Sequence, residues 1–407
     1  MSDPAIVVIG AGQAGGWAAR TLRDEGFEGG IVVIGEEPYP PYERPPLSKE
    51  VLLGKEPADS SYLWPEGSFD ELGIELRTGV GATAIDRAAR TVALSDGGSI
   101  PYRKLLIATG GRVRRLPVEG AELDGVHYLR GIDDSEAIRG DLGEGAKLVV
   151  IGGGWIGLEV AAAARMLGAE VTVVEALDRL CGRALTPELA AWLLDVHRGR
   201  GVDVRLGATV EALTGEGRVS GARLSGGETL AATAVVIGIG IVPNVELAEA
   251  AGLEIDNGVR VDAHCRTSDP DIFAAGDVTN HPNDLLGRNI RLESWENAQN
   301  QGIAAARAML GGETPYCEIP WFWSDQYDVN IQLVGLPNDF EETVTRGERA
   351  DGSFVEFYMK GGRIDGAAAI NNPRDIRFAK RLMQAQKTVD PAALADPSVK
   401  LQALLRG

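Results

Sequence analysis

The pattern Gly-x-Gly-x-x-Gly occurs twice in this chain, at Gly10, Gly12 and Gly15 and again at Gly152, Gly154 and Gly157. Both copies have the same surroundings. An apolar run precedes each one (residues 6–9 and 148–151) and an alanine-rich stretch follows. About 20 residues further on, an acid closes a second apolar run, Glu36 in one copy and Glu175 in the other. Each glycine has its own reason. The first turns the chain sharply, the second lets the backbone approach a pyrophosphate, and the third lets the helix pack closely on the sheet. The phosphate then meets free N–H groups at the positive end of a helix, and the acid accepts hydrogen bonds from ribose hydroxyls. One copy implies one bound dinucleotide. Two copies imply two, an arrangement that most often means a flavin reduced by a nicotinamide.

Composition narrows the class. A chain of 407 residues exceeds a single core and fits two or three domains. With 44% hydrophobic and 24% charged residues it is not a disordered chain. Met1-Ser-Asp-Pro leads straight into the first apolar run, and no run approaches the roughly 18 residues of a membrane span, so the expectation is a cytoplasmic protein without a membrane partner. A net charge of −19 argues against nucleic acid, whose binders displace counterions with a basic surface. Cys181, Cys265 and Cys317 are odd in number and scattered, which leaves no disulfide framework, no CxxC pair and no iron–sulfur ligand set. Four histidines, at 127, 197, 264 and 281, show no ligand spacing, so no metal site is expected. Arg374, Arg377, Lys380, Arg381 and Lys387 gather in one predicted helix that opens with an Asn372-Pro373 cap. On an acidic protein this is either a face for an acidic partner or an ordinary solvated surface.

The order of patterns predicts an α/β protein with two Rossmann-like dinucleotide-binding domains and a C-terminal α+β domain. The first βαβ unit leads into a β-rich stretch (residues 74–94) and a strand ending at Thr109-Gly110-Gly111. The second unit starts near Ala146 and closes with residues 235–243, after which the chain returns to the first domain through residues 267–277. The expected division is therefore residues 1–113 with 246–319 for FAD, 114–245 for NAD(P)H, and 320–407 for the third domain, whose alternating runs (329–334, 354–359) read as strands.

At these residues the chain resembles the ferredoxin reductases of bacterial oxygenase systems, flavoproteins of the glutathione reductase structural class. The likeness spans nearly the whole sequence, through Arg44-Pro-Pro-Leu-Ser-Lys49, Ala108-Thr109-Gly110, Tyr128-Leu129-Arg130, residues 152–159, Ala275-Gly276-Asp277, Glu293-Ser294-Trp295 and Pro320-Trp-Phe-Trp-Ser-Asp-Gln326. The resemblance implies that Gly10, Gly12, Ala14, Gly15 and Glu36 hold the adenosine diphosphate half of FAD. It places Arg44 and Lys49 along the flavin, Ala82 at the adenine end, Thr109 and Gly110 beside the cofactor, and Arg130, Gly276, Asp277 and Trp295 against the ribityl chain and ring. Asp277 follows a glycine at an expected strand–helix junction, where a carboxylate either accepts ribityl hydrogen bonds or simply caps the helix. On the nicotinamide side the resemblance implies Gly152, Gly154, Ile156, Gly157, Glu159, Glu175 and Arg183. It also puts a Lys49–Glu159 ion pair beside the flavin; the alternative is a buried structural salt bridge.

Trp155 reads either as a ring over the flavin or as core packing. Glu175 repels a 2′-phosphate and favours NADH, while Arg179 and Arg183 follow closely enough to leave some NADPH use open. Where disulfide reductases of this class carry a cysteine pair, this chain has Tyr39-Pro-Pro-Tyr-Glu-Arg-Pro-Pro-Leu-Ser48. The implied activity is that of a ferredoxin–NAD(+) reductase: hydride from NADH onto FAD, then single electrons to a separate [2Fe-2S] ferredoxin that feeds a cytochrome P450 or a ring-hydroxylating dioxygenase, with Trp323 near the exit. Two other readings stay open. One keeps the chemistry but changes the acceptor to rubredoxin, a quinone, monodehydroascorbate or dioxygen; the other is a non-enzymatic flavoprotein whose association is gated by NADH.

Overall fold

A computed structural model of the protein describes residues 4–405. Its first sheet forms because residues 5–9 and 31–34 are uninterrupted aliphatic runs, the composition of parallel strands buried on both faces. Ala5–Ile9 lies between Ile31–Ile34 and Ser99–Ile107, parallel to both. Glu75–Arg77 extends one side and Ile272–Ala274 the other, while Thr91–Leu94 and Ala82–Asp86 continue antiparallel from the start of Ser99–Ile107. The chain leaves Ala5–Ile9 in one direction and later returns on its opposite side. That reversal opens a crevice at the carboxyl ends of the strands.

A second sheet repeats the device with five parallel strands in the order Asp203–Leu206, Glu170–Glu175, Lys147–Ile151, Ala234–Ile237 and Val126–His127. An antiparallel ribbon, Gly111–Val113 against Ile241–Pro243, carries the chain into this unit and back out. Trp321–Gln326, Val329–Gly335, Arg363–Ile370, Ser353–Lys360 and Glu342–Glu348 then form a five-stranded antiparallel sheet. One face of it is covered by the helix Pro373–Gln384 through Ile376, Ala379, Leu382 and Met383. The opposite face, with Phe354, Tyr358 and Ile370, joins the same apolar core as Val150, Leu158 and Leu193 of the second unit. Trp192 meets Phe354 edge-on there, with ring centroids 5.6 Å apart. The C-terminal domain is thus fixed to the second unit by core packing.

The basic cluster is partly dispersed by this packing. Asn372 caps the helix through Asp375 N, and Pro373 takes its first turn. The helix ends at Gln384, so Lys387 stands outside it. Lys380 turns inward and pairs with Glu296 at 2.7 Å, because its position shares the buried side of the helix. Only Arg374, Arg377 and Arg381 remain on the exposed face.

His281 is buried against Tyr316, and neither ring nitrogen meets a hydrogen-bond partner among the described residues. Burial therefore holds its imidazole down at about 4, against the ordinary 6.5. Folding keeps the neutral form, so the stabilisation is complete above about pH 6.5 and is lost as pH falls through about 4. A difference of about 2.5 in pKa corresponds to about 3 kcal/mol. The melting temperature of the protein is expected to fall between pH 7 and 4.5, and less steeply in His281→Leu. Equal slopes would remove His281 from the acid transition.

Candidate active site

The two glycine motifs have the same geometry. Gly10 sits at φ +112°, and a Cβ there would lie 2.2 Å from the Ala108 carbonyl oxygen; Gly152 sits at φ +108°, with its Cβ 2.5 Å from that of Gly238. A Cβ on Gly15 would lie 1.9 Å from Gly10 O, and one on Gly157 would lie 2.2 Å from Gly152 O. These glycines let the backbone turn and the helices Gln13–Asp24 and Trp155–Met166 close onto the strands. The middle glycines differ. A Cβ on Gly12 or Gly154 would meet nothing within 4 Å. Each is the N-cap of its helix, so the backbone faces open space where free N–H groups point. The cradle fits a pyrophosphate at both places.

A cavity of about 850 Å³ starts at the first motif. Of the residues singled out by sequence, it is lined by Gly10, Gly12, Ala14, Glu36, Arg44, Lys49, Ala82, Thr109, Gly110, Arg130, Ile156, Glu159, Gly276, Asp277, Trp295 and Trp323. It therefore runs from the first glycine turn to the start of the second unit's helix and the edge of the C-terminal sheet. Gly15, Gly152, Gly154, Gly157, Glu175 and Arg183 lie outside it. Gly15 and Gly157 serve packing, while Gly152, Gly154 and Glu175 gather at the second glycine turn. There Glu175 accepts from Gly153 N at 2.6 Å and from Leu177 N at 2.7 Å. Arg183 is exposed, and Arg179 is turned toward Asp178 and the Gly182 carbonyl.

The cavity's middle is charged. Arg44 is paired with Glu37 and bonds the Arg130 carbonyl, and Tyr42 donates to Glu37 as well. Burial weakens the hold of Arg44 on its proton, but Tyr42 and Glu37 outweigh it and the net shift is upward. In Arg130 burial and the nearby Arg44 win over Asp277, so its guanidinium is shifted down. Arg130 reaches Asp277 at 3.4 Å. Asp277 does not open a helix: it lies in a turn between Ile272–Ala274 and Thr279–Asn283, because Gly276 at φ +85° reverses the chain into another strand. The next helix starts only at Trp295.

At the far end the 3-10 turn Pro45–Ser48 presents Lys49 to Glu159. The ammonium lies 2.7 Å from Glu159 Oε2 and 3.2 Å from the Pro45 carbonyl. Trp155 packs on Phe322 with centroids 5.1 Å apart and lines the cavity, so it is both packing and wall. Trp323 stacks on Trp321 at 5.0 Å and meets Trp295 edge-on at 5.7 Å. None of the three cysteines lines the cavity. Sequence reading missed Glu37, Tyr42 and Asn244, the last exchanging hydrogen bonds with Thr109 at 2.8 and 2.9 Å. Glu37 and Tyr42 pair within a few residues of Arg44 but match no binding pattern, and Asn244 meets Thr109 only through the fold, 135 residues away.

Residues 4–302 match the family described as pyridine nucleotide-disulphide oxidoreductase. The chain belongs to that family. Residues 321–405 match a second family, the reductase C-terminal domain. This oxidoreductase is 45% identical to the ferredoxin–NAD(+) reductase component of the anthranilate 1,2-dioxygenase system of Burkholderia cepacia, covering 100% of both chains. It is 42% identical to rhodocoxin reductase of Rhodococcus erythropolis, over 98% of this chain and 93% of that one. Among solved structures, the covalent putidaredoxin reductase–putidaredoxin complex matches with a TM-score of 0.96 at 38% identity, covering 100% of this chain and 99% of that one. Among the described residues, no helix is long and apolar enough to cross a membrane, and no group of three His, Cys, Asp or Glu could hold a metal ion.

Proposed function

We propose that this chain is an NADH-dependent, FAD-containing ferredoxin reductase that passes single electrons to a [2Fe-2S] ferredoxin serving a P450 or a ring-hydroxylating dioxygenase. One observation carries the reading: a single cavity joins the first phosphate cradle to a Lys49–Glu159 pair donated by both nucleotide units, with no thiol on its wall. A bound FAD would supply the chemistry that couples two-electron oxidation of NADH to one-electron reduction of an outside acceptor. Residues 1–113 with 246–319 would hold it, 114–245 the nicotinamide nucleotide, and 320–407 the outer wall; residues 1–3 and 406–407 of this division lie outside the described residues. Gly10, Gly12, Ala14 and Gly15 would form the pyrophosphate cradle with Glu36 on the ribose, Ala82 near the adenine, and Arg44, Thr109, Gly110, Arg130, Gly276, Asp277 and Trp295 along the rest. Gly152, Gly154 and Gly157 would hold the nicotinamide nucleotide at the second glycine turn, with Ile156 on the shared cavity wall.

Lys49 holds a positive charge at the cavity wall, and Glu159 fixes its direction. Trp323, open to the cavity and stacked on Trp321, is the proposed aromatic beside the ferredoxin dock. Three unpaired thiols suit a reducing compartment, which supports a cytoplasmic location.

The test is anaerobic steady-state reduction of a panel of small iron–sulfur proteins by NADH and by NADPH. Fast turnover with a [2Fe-2S] ferredoxin is expected. Turnover confined to rubredoxin, a quinone or monodehydroascorbate would change the acceptor, and an NADH-dependent change in oligomeric state without turnover would favour a gated, non-enzymatic role. Glu175 supplies a second test. On this reading its carboxylate lies beside the ribose and repels a 2′-phosphate, so Glu175→Ala is expected to reduce the NADH over NADPH preference by about tenfold, the equivalent of one charged contact. An unchanged ratio of kcat/KM values would remove Glu175 from the ribose site.

A further inference from the structure

Behind the Lys49–Glu159 pair lies a line of buried polar side chains to which the reading above gives no task. Glu159 is 3% exposed, Ser324 and His197 are 0% and Gln326 is 1%. Ser48 and Lys49 donate to Glu159 Oε2, and Ser324 Oγ donates to Oε1 at 2.6 Å. Gln326 Nε2 donates to Ser324 Oγ at 3.0 Å, His197 Nε2 stands 2.7 Å from Gln326 Oε1, and the Tyr327 hydroxyl stands 3.3 Å from His197 Nδ1. Ser48 and Lys49 come from the 3-10 turn of the first unit, the other groups from the helices Trp155–Met166 and Pro187–Gly199 of the second unit and from the first hairpin of the C-terminal sheet.

Chemistry fixes the direction of every link. An ionised carboxylate only accepts, so the Ser324 proton points to Glu159 and its lone pair must take the Gln326 amide N–H. The Gln326 carbonyl then faces His197, which must carry its proton on Nε2 and leave Nδ1 to accept from Tyr327. Burial keeps that imidazole neutral, which suits this arrangement. All protons point toward Glu159, and hydrogen bonds aligned in this way polarise one another.

The hairpin is built to close the line. Gln326 pairs with Val329, leaving Tyr327 and Asp328 as a two-residue turn. Tyr327 adopts φ +59°, where a bulky side chain costs about 1 kcal/mol or more and where glycine or asparagine is the relaxed choice. Its ring lies 5.4 Å from that of His197, with the Arg200 guanidinium 5.2 Å from its centroid.

We propose that Ser324, Gln326 and His197 are positioning residues: their aligned donors fix the rotation of the Glu159 carboxylate, which leaves Oε2 to Lys49 and holds the ammonium at the cavity wall. The inference rests on the role given above to the Lys49–Glu159 pair. In the holoenzyme, Ser324→Ala is expected to slow anaerobic bleaching of the flavin by NADH about tenfold, the kinetic equivalent of one charge-assisted hydrogen bond. Ser324→Thr, which keeps the hydroxyl, recovers the rate. His197→Phe gives a similar loss, and His197→Gln, which keeps a donor near the Nε2 position, restores most of it. In a Glu159→Gln background Ser324→Ala adds nothing further, since both act through one carboxylate. Independently of turnover, the 15N shifts of His197, assigned with the His197→Gln variant, show the neutral Nε2–H tautomer. The inference is overturned if Ser324→Thr is as slow as Ser324→Ala, if the losses add, or if the proton sits on Nδ1. A slow Glu159→Gln beside an unaffected Ser324→Ala overturns the chain alone; an unaffected Glu159→Gln overturns the pair's role and this inference with it.

Discussion

Lys49→Met is expected to slow the reduction of bound FAD by NADH about a hundredfold, the usual scale for removing one preorganised charge from a reacting centre. The lysine is held at 2.7 Å from Glu159 and its side chain is only 10% exposed, so its charge acts in a water-poor wall. Methionine keeps the apolar length and removes the charge. The same change strands Glu159 as a buried, unpaired carboxylate, which by itself costs about 3–5 kcal/mol of stability. Stability and rate therefore have to be read separately. The double variant Lys49→Met with Glu159→Gln removes both charges, so the melting temperature is expected to recover while the transient rate stays low. A double variant that recovers both would make the pair a structural salt bridge, and normal transient kinetics in Lys49→Met would do the same.

The second large effect separates the two glycine motifs. Gly10→Ala puts a Cβ 2.2 Å from the Ala108 carbonyl in a backbone at φ +112°, and Gly152→Ala puts one 2.5 Å from the Gly238 carbonyl at φ +108°. Neither contact can relax by moving a side chain, because both neighbours are backbone. Adding the strain of a non-glycine residue there, each change should cost on the order of 2–4 kcal/mol locally. Gly10→Ala is expected to purify without yellow colour and to take up added FAD about a hundredfold more weakly or not at all. Gly152→Ala should stay yellow yet need far more NADH, with KM raised about a hundredfold and little change in the absorption spectrum. The two phenotypes exchanged, or both variants colourless, would contradict the assignment of one dinucleotide to each motif. Gly12→Ala is a control for the fold alone, since nothing lies within 4 Å of its Cβ in the protein itself: its melting temperature without cofactor is expected to hold.

The phosphate cradles were legible because their chemistry is local. A tight turn, an open N-terminus and a close helix–strand contact are all set within six residues, so spacing alone reports them. The missing thiol pair was legible for the same reason. Asp277, expected beside the cofactor, lines the cavity, but its setting was not legible, since a glycine after a strand announces a reversal without saying whether helix or strand comes next. The basic cluster shows a different limit. Its charges are plain in the sequence, but the pairing of Lys380 with Glu296, 84 residues away, cancels one of them. The donor line to Glu159 lay further out of reach. Ser48, Ser324 and His197 are unremarkable serine and histidine positions until the fold brings segments more than a hundred residues apart into hydrogen-bond distance.

By itself the sequence determined two glycine turns of the dinucleotide-binding type, a first unit without a cysteine pair, and a doubly wound α/β architecture with an appended sheet. Only the tertiary structure decided that the first cradle opens into a cavity ending on the second unit's helix, and that three separate segments converge on one carboxylate. Turn and helix-end chemistry is written within a few residues, whereas the orientation of a buried charge depends on every element packed around it.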